Sequence, residues 1–274
     1  MRIDAHLHLW HLADRVGQWP PPDLAAIHRD FSPADLLPLL REAGIDGAVL
    51  VQSLPSAADT AFLLRLAAGL PAIRGVVGWT DLKAPDAPEA IARLAGDPKL
   101  RGVRPMLHDI ADAAWIDDPA LVPAVAALVA HDLAFDALVK PEHLPHLRAF
   151  AARHPDLRIV IDHGAKPRIG AGHLADWRRR MEPLAALPHV ACKLSGLFTE
   201  AEGRGAEAVR PYAETLLTLF GPDRVIWGSD WPVLTLTGDY AGWLGFCRGL
   251  IPAAHHAAVF GGNAVRFYRL AADR

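Results

Sequence analysis

Two histidines stand two residues apart near the start of the chain, His6 and His8 in the run IDAHLHLW. Side chains two apart on a β-strand point to the same face, so both imidazoles can face one interior. Two neighbouring imidazoles can share a metal ion or hold a substrate oxygen. A pair of hydrogen-bonded core histidines is the structural alternative, and their place at the end of the first predicted strand favours a functional site.

Asp230, within WGSDWP, and His163, within DHGAKP, are the next residues able to do chemistry. Asp230 can act as a general base for water or bind a metal that activates water, whereas capping of the next element is its structural alternative. His163 can bind a metal as a neutral ring or polarise a carbonyl as a donor. The neighbouring Asp162 is predicted to point the opposite way, in a structural salt bridge or a cap.

Two cations are predicted to be buried near strand ends, Lys193 in CKLSG and Arg104 in GVRP. A buried cation without a partner is costly, so each needs an anion or a carbonyl nearby. Both a ligand contact and an internal ion pair satisfy that need, and the residues alone leave the two interpretations open. Asp136 is predicted to be their partner or a second acid of the site.

Several further residues follow predicted strands and are candidates for substrate contacts. A tryptophan at a strand end can stack on the apolar face of a sugar ring, although ordinary packing is the alternative. For a lysine, simple exposure to solvent is the alternative. The candidates are Gln52, Trp79, His108, Lys166, Trp10 and Trp231.

Eight short apolar runs alternate with longer amphipathic stretches, which predicts an α/β protein with a single (β/α)8 TIM-type barrel. The glycine-rich phosphate loop expected of a doubly wound open sheet is missing after the first run. The predicted strands are 2–6, 48–52, 74–79, 101–105, 134–138, 158–162, 190–194 and 225–228. The predicted helices are 33–43, 57–68, 119–130, 141–153, 174–187, 206–220 and 240–250.

The 274 residues suit one barrel domain over 1–274, in which chemistry belongs at the carboxyl ends of the strands. The long, proline-rich connection 10–31 can fold over such a site as a lid or remain a plain surface loop. A hydrophobic content of 51% and a charged content of 22% exclude intrinsic disorder.

The net charge of −3 offers no electrostatic reason to expect nucleic acid or membrane partners. No apolar run is long enough to span a membrane, and the N-terminus lacks the pattern of a signal peptide. Two cysteines exclude a disulfide scaffold and suit a reducing compartment, so a cytoplasmic location is expected.

The ordered set of motifs resembles the amidohydrolase superfamily, in its amidohydrolase-2 branch and the sugar-lactone lactonase group. The motifs are IDAHLHLW, GVR, DHxxKP, CKLSGL, WGSDWPV and the terminal GGNAxxFY, which together span residues 3 to 268. The resemblance implies a distorted (β/α)8 barrel and hydrolysis of a cyclic ester, most simply a sugar lactone. It places His6, His8, His163 and Asp230 on the site positions of the superfamily, with Asp230 as general base.

The resemblance also bears on metals. Members with two metals have a bridging residue at strand 4 and a further histidine at strand 5, where this chain has Arg104-Pro105 and Asp136. A two-metal site is therefore not expected. The resemblance leaves two interpretations open. Either one divalent metal ion, most simply zinc, is held by His6, His8, His163 and Asp230, or no metal is bound. It implies no organic cofactor.

The sequence leaves two other functions open. One is a zinc-dependent non-oxidative decarboxylase on the same scaffold, and the other is a barrel that binds sugar acids without catalysis. The expected partner is a small lactone, and the protein is expected to be a monomer or a homodimer.

Overall fold

A computed structural model describes residues 1–270 of the chain. Eight strands form one parallel sheet that follows the order of the chain. They are β1 (Ile3–Leu7), β2 (Gly47–Val51), β3 (Ile73–Gly78), β4 (Leu100–Val103), β5 (Ala134–Ala137), β6 (Ile159–Ile161), β7 (Val190–Leu194) and β8 (Val225–Trp227).

The sheet closes between its last and first strands through residues that follow β8. The Asp230 N–H donates to the His6 carbonyl at 2.8 Å, and the His8 N–H donates to the Trp231 carbonyl at 2.8 Å. The predicted eight-stranded barrel is confirmed, and the strand bounds differ from the predicted ones by only a few residues.

Nine α-helices of residues 1–270 surround the strands. They are α1 (Pro33–Ala43), α2 (Ala57–Ala68), α3 (Ala87–Ala95), α4 (Val122–Ala130), α5 (Leu144–Arg153), α6 (Leu174–Ala185), α7 (Ala206–Phe220), α8 (Tyr240–Leu250) and α9 (Asn263–Phe267). The start of α1 is stabilised by a capping box, in which the Ser32 N–H donates to Oδ2 of Asp35 at 2.9 Å. Its end at Gly44 adopts φ 64°, a conformation that favours glycine.

The sequence prediction differs from several of these helices, and the predicted helix 174–187 ends two residues beyond α6. Helices α3 and α9 were not predicted. The first turns of the predicted helices 119–130 and 141–153 are 3₁₀ turns, so α4 and α5 begin later. None of the helices in the described part of the chain is both long and apolar enough to cross a lipid bilayer.

The buried apolar side chains form two clusters, one inside the barrel and one between the strands and the helices. The inner cluster alternates along the strands, for example Ala134 on β5 and Ala191 on β7, and it includes Tyr268, which follows α9. The outer cluster joins the other faces of the strands to the helices, for example Phe135 and Cys192. By this alternation, Asp136 and Lys193 point into the barrel.

A bulge in β1 re-aims its side chains toward the interior. The register of β1 against β2 shifts between Asp4 and Leu7, so β1 carries one extra residue there. Ala5 belongs to the inner cluster and Leu7 to the outer one. His6 therefore shares the interior with Ala5, while Asp4 points outward and accepts a hydrogen bond from the Tyr240 hydroxyl of α8 at 2.9 Å.

Candidate active site

A cavity of about 420 Å³ lies at the carboxyl ends of the strands. Its wall is built from the loops that follow six strands and combines charged and apolar side chains. The lining residues are His8, Trp19, Leu24, Ser53, Leu54, Pro55, Arg104, Met106, His108, Asp109, Leu138, His163, Lys166, Asp230, Val233 and Leu236.

Three imidazoles meet one carboxylate beside this cavity. Oδ1 of Asp230 lies 3.3 Å from Nε2 of His8, 3.7 Å from Nε2 of His6 and 3.8 Å from Nε2 of His163. His8, His163 and Asp230 line the cavity, whereas His6 is fully buried behind them. The structure thus brings together the four residues predicted to form the centre of the site.

Two of these residues have a left-handed backbone, which decides where their side chains point. His163 has φ 52° in a turn that starts directly after β6, and Asp230 has φ 61° after β8. The predicted opposite orientation of Asp162 and His163 is wrong, because β6 ends at Ile161 and strand alternation no longer applies. Both side chains enter the interior, where Oδ1 of Asp162 lies 3.5 Å from Nδ1 of His6.

Two glycines leave room for the imidazoles. A Cβ at Gly196 would lie 2.5 Å from Nδ1 of His163, and a Cβ at Gly228 would lie 2.7 Å from Cβ of His6. Real Cβ atoms essentially never approach heavy atoms so closely. Glycine is therefore required at both positions by close approach to the site.

The second ring nitrogen of each histidine has its own partner. Nδ1 of His8 donates to the Val51 carbonyl at 2.7 Å, and Nδ1 of His163 pairs with Oγ of Ser195 at 2.9 Å. Nδ1 of His6 lies 3.0 Å from Nζ of Lys193. These contacts orient the rings so that all three Nε2 atoms face Asp230.

Burial and the neighbouring charges determine the protonation of the site. Burial lowers the pKa of His163 to about 4 and holds the pKa of His6 well below its ordinary value, where Lys193 lowers it further. Burial alone would raise the pKa of Asp230, but the charges of the neighbouring histidines, His163 first, hold it below its usual range. Near neutral pH the site therefore contains an ionised carboxylate beside neutral rings of His6 and His163.

Arg104 occupies the boundary between the cavity and the interior. Its Nη1 lies 3.3 Å from Nε2 of His6 and 3.4 Å from Oδ2 of Asp162, and its Nη2 donates to the Gln52 carbonyl. It is 3% exposed and lines the cavity, so it presents a positive charge to a ligand there.

Lys193 is held in an ion-pair network below the cavity. Its Nζ lies 2.6 Å from Oδ2 of Asp136 and 2.9 Å from Oδ1 of Asp162, and the Tyr268 hydroxyl donates to Oδ2 of Asp136 at 2.7 Å. Burial raises the pKa of Asp136 to about 6. Burial would also raise the pKa of Asp162, but Lys193, His6 and Arg104 hold it well below its usual range.

This network decides between the interpretations that the sequence left open for Lys193 and Asp136, a ligand contact or an internal ion pair. Both are fully buried and neither lines the cavity, because each satisfies the charge of the other inside the barrel. The internal ion pair, left open by the sequence, is the arrangement found. Gln52 is also fully buried, and its side-chain amide donates to the Arg104 carbonyl at 2.7 Å.

The three predicted tryptophans also lie away from the cavity wall. Trp10 and Trp231 are buried, and both rings pack edge-on against Phe31 at 5.1 and 5.2 Å. Trp79 is half-buried after β3, where its N–H donates to Oγ1 of Thr60 at 2.8 Å. The tryptophan that lines the cavity is Trp19, which the sequence reasoning missed although it stands in the segment 10–31.

Two further predicted candidates, His108 and Lys166, do line the cavity. Burial lowers the pKa of His108 to about 3, with Lys166 and Arg104 adding to the effect, so its ring is neutral near pH 7. Nε2 of His108 lies 3.1 Å from Oδ2 of Asp109. Lys166 forms an ion pair with Glu200 and is three-quarters buried.

The donor set can be tested for a divalent metal. In a tetrahedral zinc site with bonds of 2.0–2.1 Å, neighbouring ligand atoms lie about 3.4 Å apart. The distances from Asp230 to the three Nε2 atoms are close to this value. Since Nδ1 of His8 donates to a carbonyl, its Nε2 presents a lone pair toward the carboxylate, an arrangement that a bound cation satisfies.

His6 suits a metal less well than the other three residues. Nδ1 of His6 faces the Lys193 ammonium and its Nε2 faces the Arg104 guanidinium, and both of these groups are donors. A neutral imidazole has one lone pair, so it cannot accept from Lys193 and bind a metal at the same time. Within residues 1–270, two groups of three residues have ligand atoms within 4.8 Å of one another, His6 with His8 and Asp230, and His6 with Asp162 and His163. Both include His6, so an ion bound there requires the Lys193 contact to give way.

Comparisons with known proteins show the family of the chain. The family model described as amidohydrolase matches residues 3–270. L-Fucono-1,5-lactonase of Burkholderia ambifaria is 56% identical, over 98% of this chain and 96% of that protein. L-Fucono-1,5-lactonase of Burkholderia multivorans is 39% identical, over 98% and 96%.

A solved structure shares the whole architecture. The crystal structure of an amidohydrolase from Burkholderia multivorans with bound zinc is 39% identical and superposes with a TM-score of 0.92, covering 99% of this chain and 100% of that one. The family match and both relatives extend over nearly the full length of the chain. With its closed barrel and its HxH pair facing an aspartate after β8, the chain belongs to the amidohydrolase family.

Proposed function

We propose that the protein is a lactonase that opens the cyclic ester of a sugar acid, with a 1,5-lactone as the substrate class. The observation that carries the proposal is the Asp230 carboxylate, which faces three imidazoles at a cavity wall. The 56% identity to a named L-fucono-1,5-lactonase over nearly the whole chain supports the same reaction.

The residues divide the work of ester hydrolysis. A lactone carbonyl in the cavity is polarised by the Arg104 guanidinium and by the neutral imidazole of His163. Asp230, ionised near neutral pH, accepts a proton from water as the water oxygen bonds to the carbonyl carbon. Electrostatic stabilisation of the resulting oxyanion by preorganised donors is the largest contribution expected in such a site.

Collapse of the tetrahedral intermediate completes the reaction. The bond between the carbonyl carbon and the ring oxygen breaks, and protonated Asp230 returns its proton to the leaving alkoxide. One water is consumed, and one hydroxy acid is formed. Because the pKa of Asp230 lies below its usual range, return of this proton is favourable.

A divalent ion held by His6, His8 and Asp230 would supply Lewis-acid polarisation of the carbonyl when bound. Arg104 already places a positive charge at the same wall of the cavity. The residues of the chain therefore suffice to position the water, the base and the oxyanion donors.

The cavity suits a sugar lactone because its wall combines two kinds of surface. Arg104, His108 and Lys166 can bind hydroxyl and carbonyl oxygens. Trp19 and Leu236 belong to an apolar part of the wall, which suits the C–H groups of the sugar ring. Few polar groups in a mostly apolar pocket are typical of small-molecule sites.

The test is hydrolysis of a panel of sugar lactones, followed with a pH indicator, by the wild type and by Asp230→Asn. The wild type is expected to open at least one 1,5-lactone, and D230N is expected to lose about 10³-fold in kcat. Asp109→Asn is the matched control, because the Asp109 carboxylate lines the cavity beside His108 and does not belong to the group formed by Asp230 and the three imidazoles that it faces.

Three results would contradict the proposal. Retained hydrolysis by D230N removes Asp230 as the base. Release of CO2 from an aromatic acid, with every lactone left intact, supports a decarboxylase instead. Binding of aldonates without any turnover supports a sugar-acid-binding barrel. Each assay is run with and without a chelator, because loss of activity with the chelator assigns the polarising role to a metal.

A further inference from the structure

The loop between β1 and α1 contains one buried cation in an otherwise exposed turn. Val16 is 83% exposed and the Asp14 side chain is 67% exposed, yet Arg15 between them is 3% exposed. An arginine is rarely buried unless it is paired. Its burial therefore indicates that Arg15 fastens this loop to the body of the barrel.

The partners of Arg15 join two parts of the cavity wall. Its Nη2 donates to Oδ1 of Asp59 at 2.7 Å, and its Nη1 donates to Oγ of Ser53 at 3.0 Å and to the Trp19 carbonyl at 3.4 Å. Asp59 also accepts from the backbone N–H groups of Ser53 at 2.8 Å and of Leu54 at 3.2 Å. One ion pair thus connects the Trp19 side of the cavity to the wall formed by Ser53 and Leu54.

Trp19 is oriented by the aromatic residues beneath it. Its ring lies 5.1 Å from the Trp10 ring at 70°, and the Trp10 indole N–H donates to the Arg29 carbonyl at 2.8 Å. The Arg15 guanidinium lies 5.3 Å from the Trp10 ring. Trp19 itself is half-buried and lines the cavity, so the loop presents one large apolar face to a ligand.

We propose that Trp19 is a substrate-contacting, specificity-determining residue that covers the ring substituents of a sugar lactone, and that Arg15 is its positioning residue. The inference rests on the proposed lactonase function. When the lactone carbonyl is at Asp230, the ring carbons and the exocyclic carbon extend toward the rest of the wall. A rigid indole there buries the C–H surface of the ring substituents of a sugar lactone. An unsubstituted lactone has no such surface.

The experiment compares L-fucono-1,5-lactone with unsubstituted δ-valerolactone. Trp19→Ala is expected to lower kcat/KM for the sugar lactone by about 10- to 50-fold, mainly through KM, and to change δ-valerolactone by less than about 3-fold. Trp19→Phe is expected to restore most of the loss. Trp115→Ala is the matched control, because Trp115 is a half-buried tryptophan that contacts Lys83 and does not line the cavity.

The role of Arg15 is tested by non-additivity. Arg15→Met is expected to raise KM for the sugar lactone about 5- to 10-fold with kcat nearly unchanged. The double variant R15M/W19A is expected to be no worse than W19A, since Arg15 acts through Trp19. Thermal melts show whether R15M folds, and if it does not, W19A and W19F decide the assignment of Trp19.

The outcomes separate the inference from the function on which it rests. If the wild type opens neither lactone, the proposed function and the inference are both overturned. If the wild type turns over normally, and W19A either loses kcat/KM equally for both lactones or loses none, the role of Trp19 alone is overturned. Fully additive effects of R15M and W19A overturn the positioning role of Arg15.

Discussion

Oδ1 of Asp230 lies 3.3 Å from Nε2 of His8, although 222 residues separate the two in the chain. The contact forms because the chain after β8 returns to β1 and pairs with it through backbone hydrogen bonds. The residues that support this contact from below, inside the barrel, lead to most of the predictions that follow.

Lys193→Met is expected to destabilise the fold strongly. Lys193 is fully buried between Asp136 and Asp162, and removing one member of a buried ion pair typically costs about 3–5 kcal/mol. The free energy of unfolding, measured with urea, checks this. Lys83→Met is the control, because Lys83 pairs with the half-exposed Asp118 at 2.7 Å and such surface pairs contribute about 1 kcal/mol or less. Equal effects of both variants would contradict the buried network.

Tyr268→Phe is expected to lower the free energy of unfolding by about 1–3 kcal/mol. It removes the hydroxyl that donates to Asp136 at 2.7 Å and leaves that buried acceptor with one donor fewer. Tyr212→Phe is a matched control, because within residues 1–270 the buried Tyr212 hydroxyl has no hydrogen-bond partner. Chemical denaturation of both variants is the measurement, and Y212F is expected to be neutral or slightly stabilising.

Asp136→Asn is expected to change how stability depends on pH. The folded pKa of Asp136 is about 6 against 3.8 for the ordinary side chain, because burial favours its neutral form. Its stabilising contribution is therefore fully present below pH 3.8 and is lost as the pH rises through about 6. Relative to D136N, the wild type should lose on the order of 3 kcal/mol between acidic and neutral pH.

The measurement for Asp136 is urea unfolding of both proteins at several pH values between about 4 and 7. Groups that titrate alike in both proteins cancel in the difference, so the remaining slope reports position 136. A difference that stays constant over this range would show that the pKa of Asp136 is not raised in the folded state.

Gly196→Ala is expected to reduce lactone hydrolysis at least about 100-fold. The added methyl would meet Nδ1 of His163 at 2.5 Å, so the ring must leave Ser195 and its place beside Asp230. Gly203→Ala is the control, since Gly203 has a similar positive φ but no heavy atom within 4 Å. Both variants carry the backbone cost of about 1–2 kcal/mol, and steady-state kinetics isolates the effect on His163.

The sequence predicted the barrel well because the strands are covered on both faces and read as short apolar runs between amphipathic helices. The bounds of α2, α7 and α8 agree with the prediction residue for residue. Helix α3 was missed because it has only nine residues and directly follows a loop rich in proline and aspartate. The helical pattern of apolar residues therefore extends over too few positions to be recognised.

The site was predicted less completely, because strand alternation fails where strands end. Alternation assigned Asp162 and His163 to opposite faces, but the left-handed turn after β6 brings both inside. Alternation also treats Asp4 like His6, whereas the bulge in β1 separates them. Trp19 could not be distinguished from Trp10 by spacing, since the loop that carries them has no periodic pattern.

The seam between β8 and β1 has a consequence for the synthesis of the protein. A nascent chain that ends before residue 230 already contains His6, His8 and His163, but it lacks the carboxylate that they face and the backbone groups that pair with its first strand. The hydrogen bond from the Asp230 N–H to the His6 carbonyl forms only after residue 230 has left the ribosome. A product truncated before residue 230 can therefore complete neither the seam of the barrel nor the group of three imidazoles around a carboxylate.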